Sequence, residues 1–209
     1  MYGLPPSTEV KKQLPKKAIY AKFDLKPAQR ESFDADVSTL YIIGIVSPHT
    51  VPAIAEGAEV KEIYVLAVQM KRKEYDPKNI ALLTKLIPQK MVFVLEYEEE
   101  VQLAIHHTRL ITSAWQIKHH KSDIINLQGL NLDTVWEGIV KSIGQIDVEE
   151  GNSLTEQIAT NDQRAKLLTQ IATLERKMAN EKQPRRKREY FEQIKGLKNR
   201  YETATSKYE

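Results

Sequence analysis

The sequence contains no cysteine. That excludes disulfides, thiolate zinc sites and a cysteine nucleophile, and it suits a cytoplasmic setting. Glycine is scarce, with eight in 209 residues, and none of them builds a GxGxxG or GxxxxGK loop. The backbone cradle that nucleotide-hydrolysing folds wrap around phosphates is therefore missing. No apolar run approaches the roughly 20 residues that span a bilayer, and the opening MYGLPPSTEVKK has no apolar signal core. A soluble protein without a membrane partner, not exported by that route, is expected. Hydrophobic residues make up only 41% of the chain, low for one compact globule of this length, and this points to an appendage.

The charge that is present is unevenly placed. The formal net charge is +3, yet from Arg164 onward 13 Lys or Arg face 6 Glu and no Asp, a surplus of 7 that leaves −4 for residues 1–163. A basic tail on a slightly acidic body implies two jobs.

The strongest periodic signal runs from Val60 to Tyr97. VKEIYVLAVQM and MVFVLEY read as strands covered on both faces. Between them Asp76 can cap a helix that opens with Pro77, carries Ile80, Leu83, Leu86 and Ile87 on one side, and stops at Pro88. Such a β-α-β unit makes the two strands parallel, so the sheet is at least partly parallel and needs covering helices.

Around this unit, Ser7 can cap a short helix from Thr8 to Leu14, Pro15 can open a second with Ala18, Ile19 and Phe23 on one side, and a third runs from Pro27 to Val37. LYIIGIV (residues 40–46) is a strand. The loop after it has room for a short edge strand. Val101 to His106 reads as an antiparallel partner of Met91 to Leu95, Leu110 to Trp115 as a further strand, residues 116–123 as a polar loop, and Ile124 to Leu127 as a last short strand. Asn131 or Asp133 can cap a helix whose stripe of Leu132, Val135, Trp136, Ile139, Val140 and Ile143 docks on the sheet, with Gly144 as its stop.

From Ser153 the pattern changes. Leu154, Ile158, Leu167, Leu168, Ile171, Leu174 and Met178 lie on one helical stripe, and Tyr190, Ile194, Leu197 and Tyr201 on another. Pro184 inside one unbroken helix would cost ~3 kcal/mol, so the reading is two antiparallel helices joined near it, paired within one chain or exchanged between two chains of a homodimer. The expected fold is thus α/β in the α+β sense: a mixed, partly parallel sheet with covering helices over residues 1–147, a linker at 148–152, and a coiled-coil-like helical hairpin over 153–209.

LPKKAIYAKF, VKEIYVLAVQMKRK, the IP before MVFVLEYE, GLNLDTVWE and EKQPRRKREYFEQIKGLK together resemble the bacterial family called domain of unknown function 4391, across almost the whole chain. The resemblance carries no established activity. It implies a context, because members are often encoded near DNA methyltransferases and helicases of restriction-type defence clusters.

Three groups of residues bear on chemistry. The order helix 27–37, strands 40–46 and 60–71, helix 77–87 and strand 91–97 resembles a restriction-endonuclease core, with Gln69-Met70-Lys71 where a Glu- or Gln-x-Lys triplet would end a strand and Glu62 among the nearest acids. In that reading carboxylates hold magnesium and Lys71 polarises water. Strand LYIIGIV supplies no acid, however, and a lysine at a strand end commonly blunts an edge. His106-His107 and His119-His120 form pairs, but neighbours on a regular strand point to opposite faces and no third ligand is fixed, so surface histidines are the simpler reading.

The third group is the most specific. Arg176, Lys177, Lys182, Arg185, Arg186, Lys187 and Arg188 fall within thirteen residues, with Glu181 the only acid among them. On a hairpin they collect at the tip, where they can neutralise DNA or RNA phosphates, hold an acidic partner surface, or solvate a turn. The function expected is a non-enzymatic accessory subunit, without a cofactor, that docks on a larger protein such as a helicase or DNA methyltransferase. A magnesium-dependent nuclease is the alternative.

Overall fold

The computed structural model describes residues 2–118 and 124–206. The chain divides into two compact units between Ile146 and Asp147. In the first, a 3-10 turn at Pro6–Thr8 leads into β1 (Glu9–Gln13), α1 (Lys16–Phe23), α2 (Pro27–Asp36), β2 (Val37–Val46), β3 (Ile63–Met70), α3 (Pro77–Leu83), β4 (Lys90–Tyr97), β5 (Glu100–His106), β6 (Leu110–Thr112), β7 (Gln116–Ile117) and α4 (Leu132–Gly144).

The strands form one mixed sheet in the order β1-β2-β3-β4-β5-β6, with β7 also on β5. β3 and β4 run parallel, in register from Ile63 opposite Lys90 to Gln69 opposite Glu96. The connection through α3 makes this parallel pairing possible, since parallel neighbours need a crossover. Asp76 accepts from the Lys78 N–H at 2.9 Å and Pro77 occupies the first helical position, the local chemistry that starts α3. The other principal pairings are antiparallel, and β4 and β5 join through a two-residue turn in which Glu98 takes a left-handed φ of 50°.

Strand alternation sorts the core into two faces. Leu40, Ile42, Leu66, Val68, Phe93 and Leu95 face Ile19 of α1, Phe33 of α2, and Ile80 and Leu83 of α3. Val65, Val92, Val94, Leu103 and Ile105 occupy the alternate positions and are equally buried, while α4 lies against β5 and β6 with Val135, Trp136, Ile139, Val140 and Ile143 buried. Each such large apolar side chain contributes roughly 2 kcal/mol by leaving water. The strands are therefore apolar on both faces, as central strands of a covered sheet must be.

Several local expectations are corrected. Residues 8–14 do not form a helix. Val10 and Leu14 have helical spacing, but Glu9–Gln13 pairs along β2 as an edge strand, so sheet pairing outweighs a weak local pattern. Three lysine-type and glutamine side chains, Lys11, Lys12 and Gln13, point that edge at solvent. α3 ends at Leu83 rather than at residue 87, and the chain tightens into three-residue turns through Leu86 because Pro88 disfavours helical backbone at Ile87. Gln116 and Ile117 form strand β7, held by backbone pairing with both side chains exposed, so no hydrophobic pattern announced it. Residues 124–127 have no ladder: Ile125 is buried and donates its N–H to the Tyr2 carbonyl instead. The loop after β2 makes only an isolated bridge, Ala55 to Asn131.

Asn131, not Asp133, caps α4, accepting from the Thr134 N–H at 2.9 Å. The Asp133 carboxylate accepts instead from Ala58, Val60 and Glu59 N–H groups at 2.6, 2.8 and 3.2 Å. It thereby pins the loop that leads into β3. The Val60 N–H and its two companions hold Asp133 below the usual carboxylate range. Gly57 is needed here, because a Cβ would lie 2.4 Å from Asp133 Oδ1.

The second unit is α5 (Leu154–Asn180) and α6 (Pro184–Ser206), packed on each other through a connection of only three residues. α5 is about 40 Å long at ~1.5 Å per residue. Ser153 and Glu156 form a capping box at its start. The segment before it is tied down: Arg164 bonds Glu149 at 2.7 Å and Gln157 accepts from the Glu149 N–H at 3.1 Å. Leu167, Ile171, Leu174 and Met178 are buried or half-buried, as are Tyr190, Ile194, Leu197 and Tyr201, whereas Leu168 is exposed and leaves the stripe.

Candidate nucleic-acid interface

The connection between α5 and α6 is built by Glu181, whose carboxylate accepts from the Lys182 and Gln183 N–H groups at 2.9 and 3.0 Å. Pro184 then opens α6, the position where its missing N–H costs least. Around this turn Arg176, Lys177, Lys182, Arg185, Arg186, Lys187 and Arg188 are all exposed. The tip therefore presents all seven cations to solvent. One exposed pair offsets them, Arg185 to Glu189 at 3.5 Å, and such a pair is worth little in water.

Helix electrostatics separates these cations. Arg176 and Lys177 stand near the C-terminus of α5, where positive charge is favourable, so they need no role beyond helix stability. Arg185, Arg186 and Lys187 stand in the first turn of α6, which contains no acid. Positive charge there opposes the helix dipole and adds to the positive end. Local stability does not account for them, and together with the positive end of the α6 dipole they form an attractor for anions.

Beside the turn, Thr173, Arg176, Lys177, Asn180, Glu181 and Tyr190 line an open hollow of about 510 Å³. Phe191 is 54% exposed and lies four and three residues after Lys187 and Arg188 and four before Lys195, so three cations neighbour one ring on the helix surface. Sequence reasoning missed Phe191. The signal was its place one residue outside the Tyr190 stripe, which turns it away from α5.

The nuclease-type residues are not assembled. Gln69 is the penultimate residue of β3 and its amide donates to the Glu96 carbonyl at 3.3 Å, and Lys71 donates to the Asp34 carbonyl at 2.6 Å. Glu62 precedes the other end of β3, bonded by the Tyr64 hydroxyl at 2.9 Å, roughly 20 Å away along the strand. Lys71 also donates its backbone N–H to the carbonyl of Asp36, an acid fully buried at the end of α2 and unremarked in the sequence. Its carboxylate is already filled: Arg72 donates to one oxygen at 2.5 and 2.6 Å, and the Asp76 N–H and Asn79 amide donate to the other at 2.8 and 2.7 Å. These four bonds lock α2, β3 and α3 together and leave a magnesium ion no free oxygen.

His106 and His107 were expected on opposite faces. His106 is the last residue of β5 and His107 lies in the turn beyond it, so the alternation has lapsed and both line one hollow. That hollow also holds Lys22, Lys85 and Lys90, surroundings that repel a metal cation. His119 and His120 lie outside the described residues. Among the described residues no group of three His, Cys, Asp or Glu is placed to hold a metal, and no helix is long and apolar enough to cross a membrane.

Fold and tip together define a mixed α+β protein carrying an antiparallel helical pair with a cationic turn. The chain belongs to the family described as Domain of unknown function (DUF4391), whose model matches residues 2–200. No curated protein and no solved structure matches it.

Proposed function

We propose that this protein is a non-enzymatic accessory subunit of a bacterial DNA-modification or anti-phage defence complex. In this reading the α/β unit docks on a larger partner, a helicase or DNA methyltransferase, and the hairpin tip contacts nucleic-acid phosphates. The observation that carries it is the placement of Arg185, Arg186 and Lys187 in the first turn of α6, where they work against helix stability and are explained by an external anion. Phosphate contact of this kind supplies affinity and register without sequence specificity.

The test is DNA retention by the full chain across a salt series. Wild-type affinity falls steeply as salt rises, and replacing Arg185, Arg186, Lys187 and Arg188 by Glu abolishes retention while the fold persists. Loss of a captured protein partner with DNA retention unchanged would assign the tip to protein instead. Unchanged binding to both would reduce it to a solvated turn. Gln69→Ala and Lys71→Ala leave biological activity largely intact in this reading; if both abolish magnesium-dependent DNA cleavage in a folded protein, the nuclease takes its place.

A further inference from the structure

At one end of the sheet, four stretches that are distant in sequence close around a hollow of about 390 Å³: Lys22 from α1, residues 84–85 and 87–89 after α3, Lys90 and Met91 at the start of β4, and His106-His107 beyond β5. Three lysines and two histidines line it. No carboxylate of the described residues does.

Like charges gathered in one concavity repel each other, and a fold that brings them from separate segments needs either a structural reason or an anion. Two ammonium groups are held in place without being neutralised. Lys22 donates to the Leu86 carbonyl and stands 6.0 Å from the Phe23 ring centre, and Lys90 lies 5.7 Å from the centre of the Trp136 ring. Carbonyl and ring contacts orient a cation and leave its charge in the site. Lys85 and His106 are exposed on the rim and His107 is half-buried. Burial, and after it the charge of Lys90, pushes His107 below the ordinary imidazole range, against the opposite pull of Glu137 and Glu59. Three lysines and no carboxylate of the described residues therefore line the hollow, with Glu137 and Glu59 acting on His107 from outside that lining.

The remaining lining is apolar or uncharged: Ile87, Pro88, Met91, Thr84 and Gln89. A cavity of this size takes a small molecule, with a few polar groups to fix its charged end and apolar wall for the rest. Magnesium or zinc would meet ammonium groups there, so a metal site is the wrong occupant.

We infer that this hollow binds a phosphorylated small molecule, with the phosphate held by Lys22, Lys85, Lys90 and the histidine pair, and an apolar body against Ile87, Pro88 and Met91. Its lining shares no residue with the basic cluster of the hairpin. The site stands whether or not the tip meets nucleic acid.

Titration calorimetry on the full chain, with inorganic pyrophosphate, adenosine diphosphate and a 5′-phosphorylated trinucleotide as probes, tests it. Saturable one-to-one binding of at least one probe is expected, with the nucleoside diphosphate tighter than pyrophosphate if the apolar wall takes part. Lys85→Glu combined with His106→Glu, both on the exposed rim, weakens binding at least about tenfold, which is 1.4 kcal/mol, with melting temperature and circular dichroism unchanged. The fourfold Glu variant of the tip binds the probe as wild type does. Binding by the trinucleotide alone would identify the phosphate as a nucleic-acid end and keep the site. Absence of heat with all three probes, or undiminished binding in the rim variant, overturns the inference. So does loss of binding in the tip variant, which would place the phosphate on the hairpin.

Discussion

The α/β unit and the helical pair bury apolar surface in different ways. In the first, both faces of a sheet are covered, and Val65, Leu66, Val92, Phe93, Val94 and Leu95 reach complete burial along two adjacent strands. In the second, Leu154 and Ile158 are buried at the start of α5, but between Leu167 and Tyr201 only Ile171 and Ile194 are, at 6% and 4% exposure, and the other members of the two stripes stay half-wet. A wide interior tolerates little change of charge or volume, whereas a narrow seam leaves most of each helix free to carry side chains chosen for other purposes. The charged surplus of the chain sits on the second kind of surface, where it costs least.

The largest effect that would break this contrast is Val94→Asp. An unpaired carboxylate in the centre of β4 costs several kcal/mol, and the α/β unit unfolds. A soluble variant with an unchanged melting temperature would show that the sheet is not covered on both sides.

Next comes Asp36→Ala, which empties the polar lock of α2, β3 and α3. It strands the Asn79 amide and the Asp76 N–H in a buried position and costs roughly 3 kcal/mol. Urea denaturation reads this as a lower midpoint with an unchanged slope. A shift under about 0.5 kcal/mol would mean that water replaces the carboxylate and that the lock is only partial.

Ile194→Ala probes the seam, where removal of a buried aliphatic side chain costs roughly 2 kcal/mol. The expected result is loss of helical circular dichroism at lower temperature, with the tryptophan signal of the sheet unit unmoved, because Trp115 and Trp136 belong to the first unit. Simultaneous loss of both signals would merge the two units into one cooperative body.

The smallest effect has the opposite sign. Arg186→Glu with Lys187→Glu puts negative charge into the first turn of α6 and leaves the Arg185–Glu189 pair intact. The helical pair gains up to about 1 kcal/mol at low salt. A gain in stability together with a loss of binding would sharpen the contrast between a unit built for stability and a tip that sacrifices some of it. A loss of stability would remove the argument from helix electrostatics.

Most of the fold was legible because its signals are local and repeated. The apolar runs of β3 and β4, the Asp76-Pro77 start of α3 and the stripes of α4, α5 and α6 each follow from period and capping chemistry within one segment. The seven basic residues of the tip were legible for the same reason, since they adjoin a proline turn.

What the sequence could not decide depends on which segments meet. Glu9–Gln13 becomes a strand only because the edge of β2 is open beside it, and Gln116–Ile117 only because β5 offers backbone partners. Asp36 gains meaning from Arg72, Asp76 and Asn79, and Asp133 from the Ala58–Val60 loop, none of them within helical reach in sequence. Lys22, Lys85, Lys90, His106 and His107 are unremarkable as single residues, and only the packing of α1, α3, β4 and β5 gathers their charge into one hollow. Local propensity specifies backbone shape within a segment. The juxtaposition of buried polar groups and clustered charges is set by burial across segments, which no window of sequence contains.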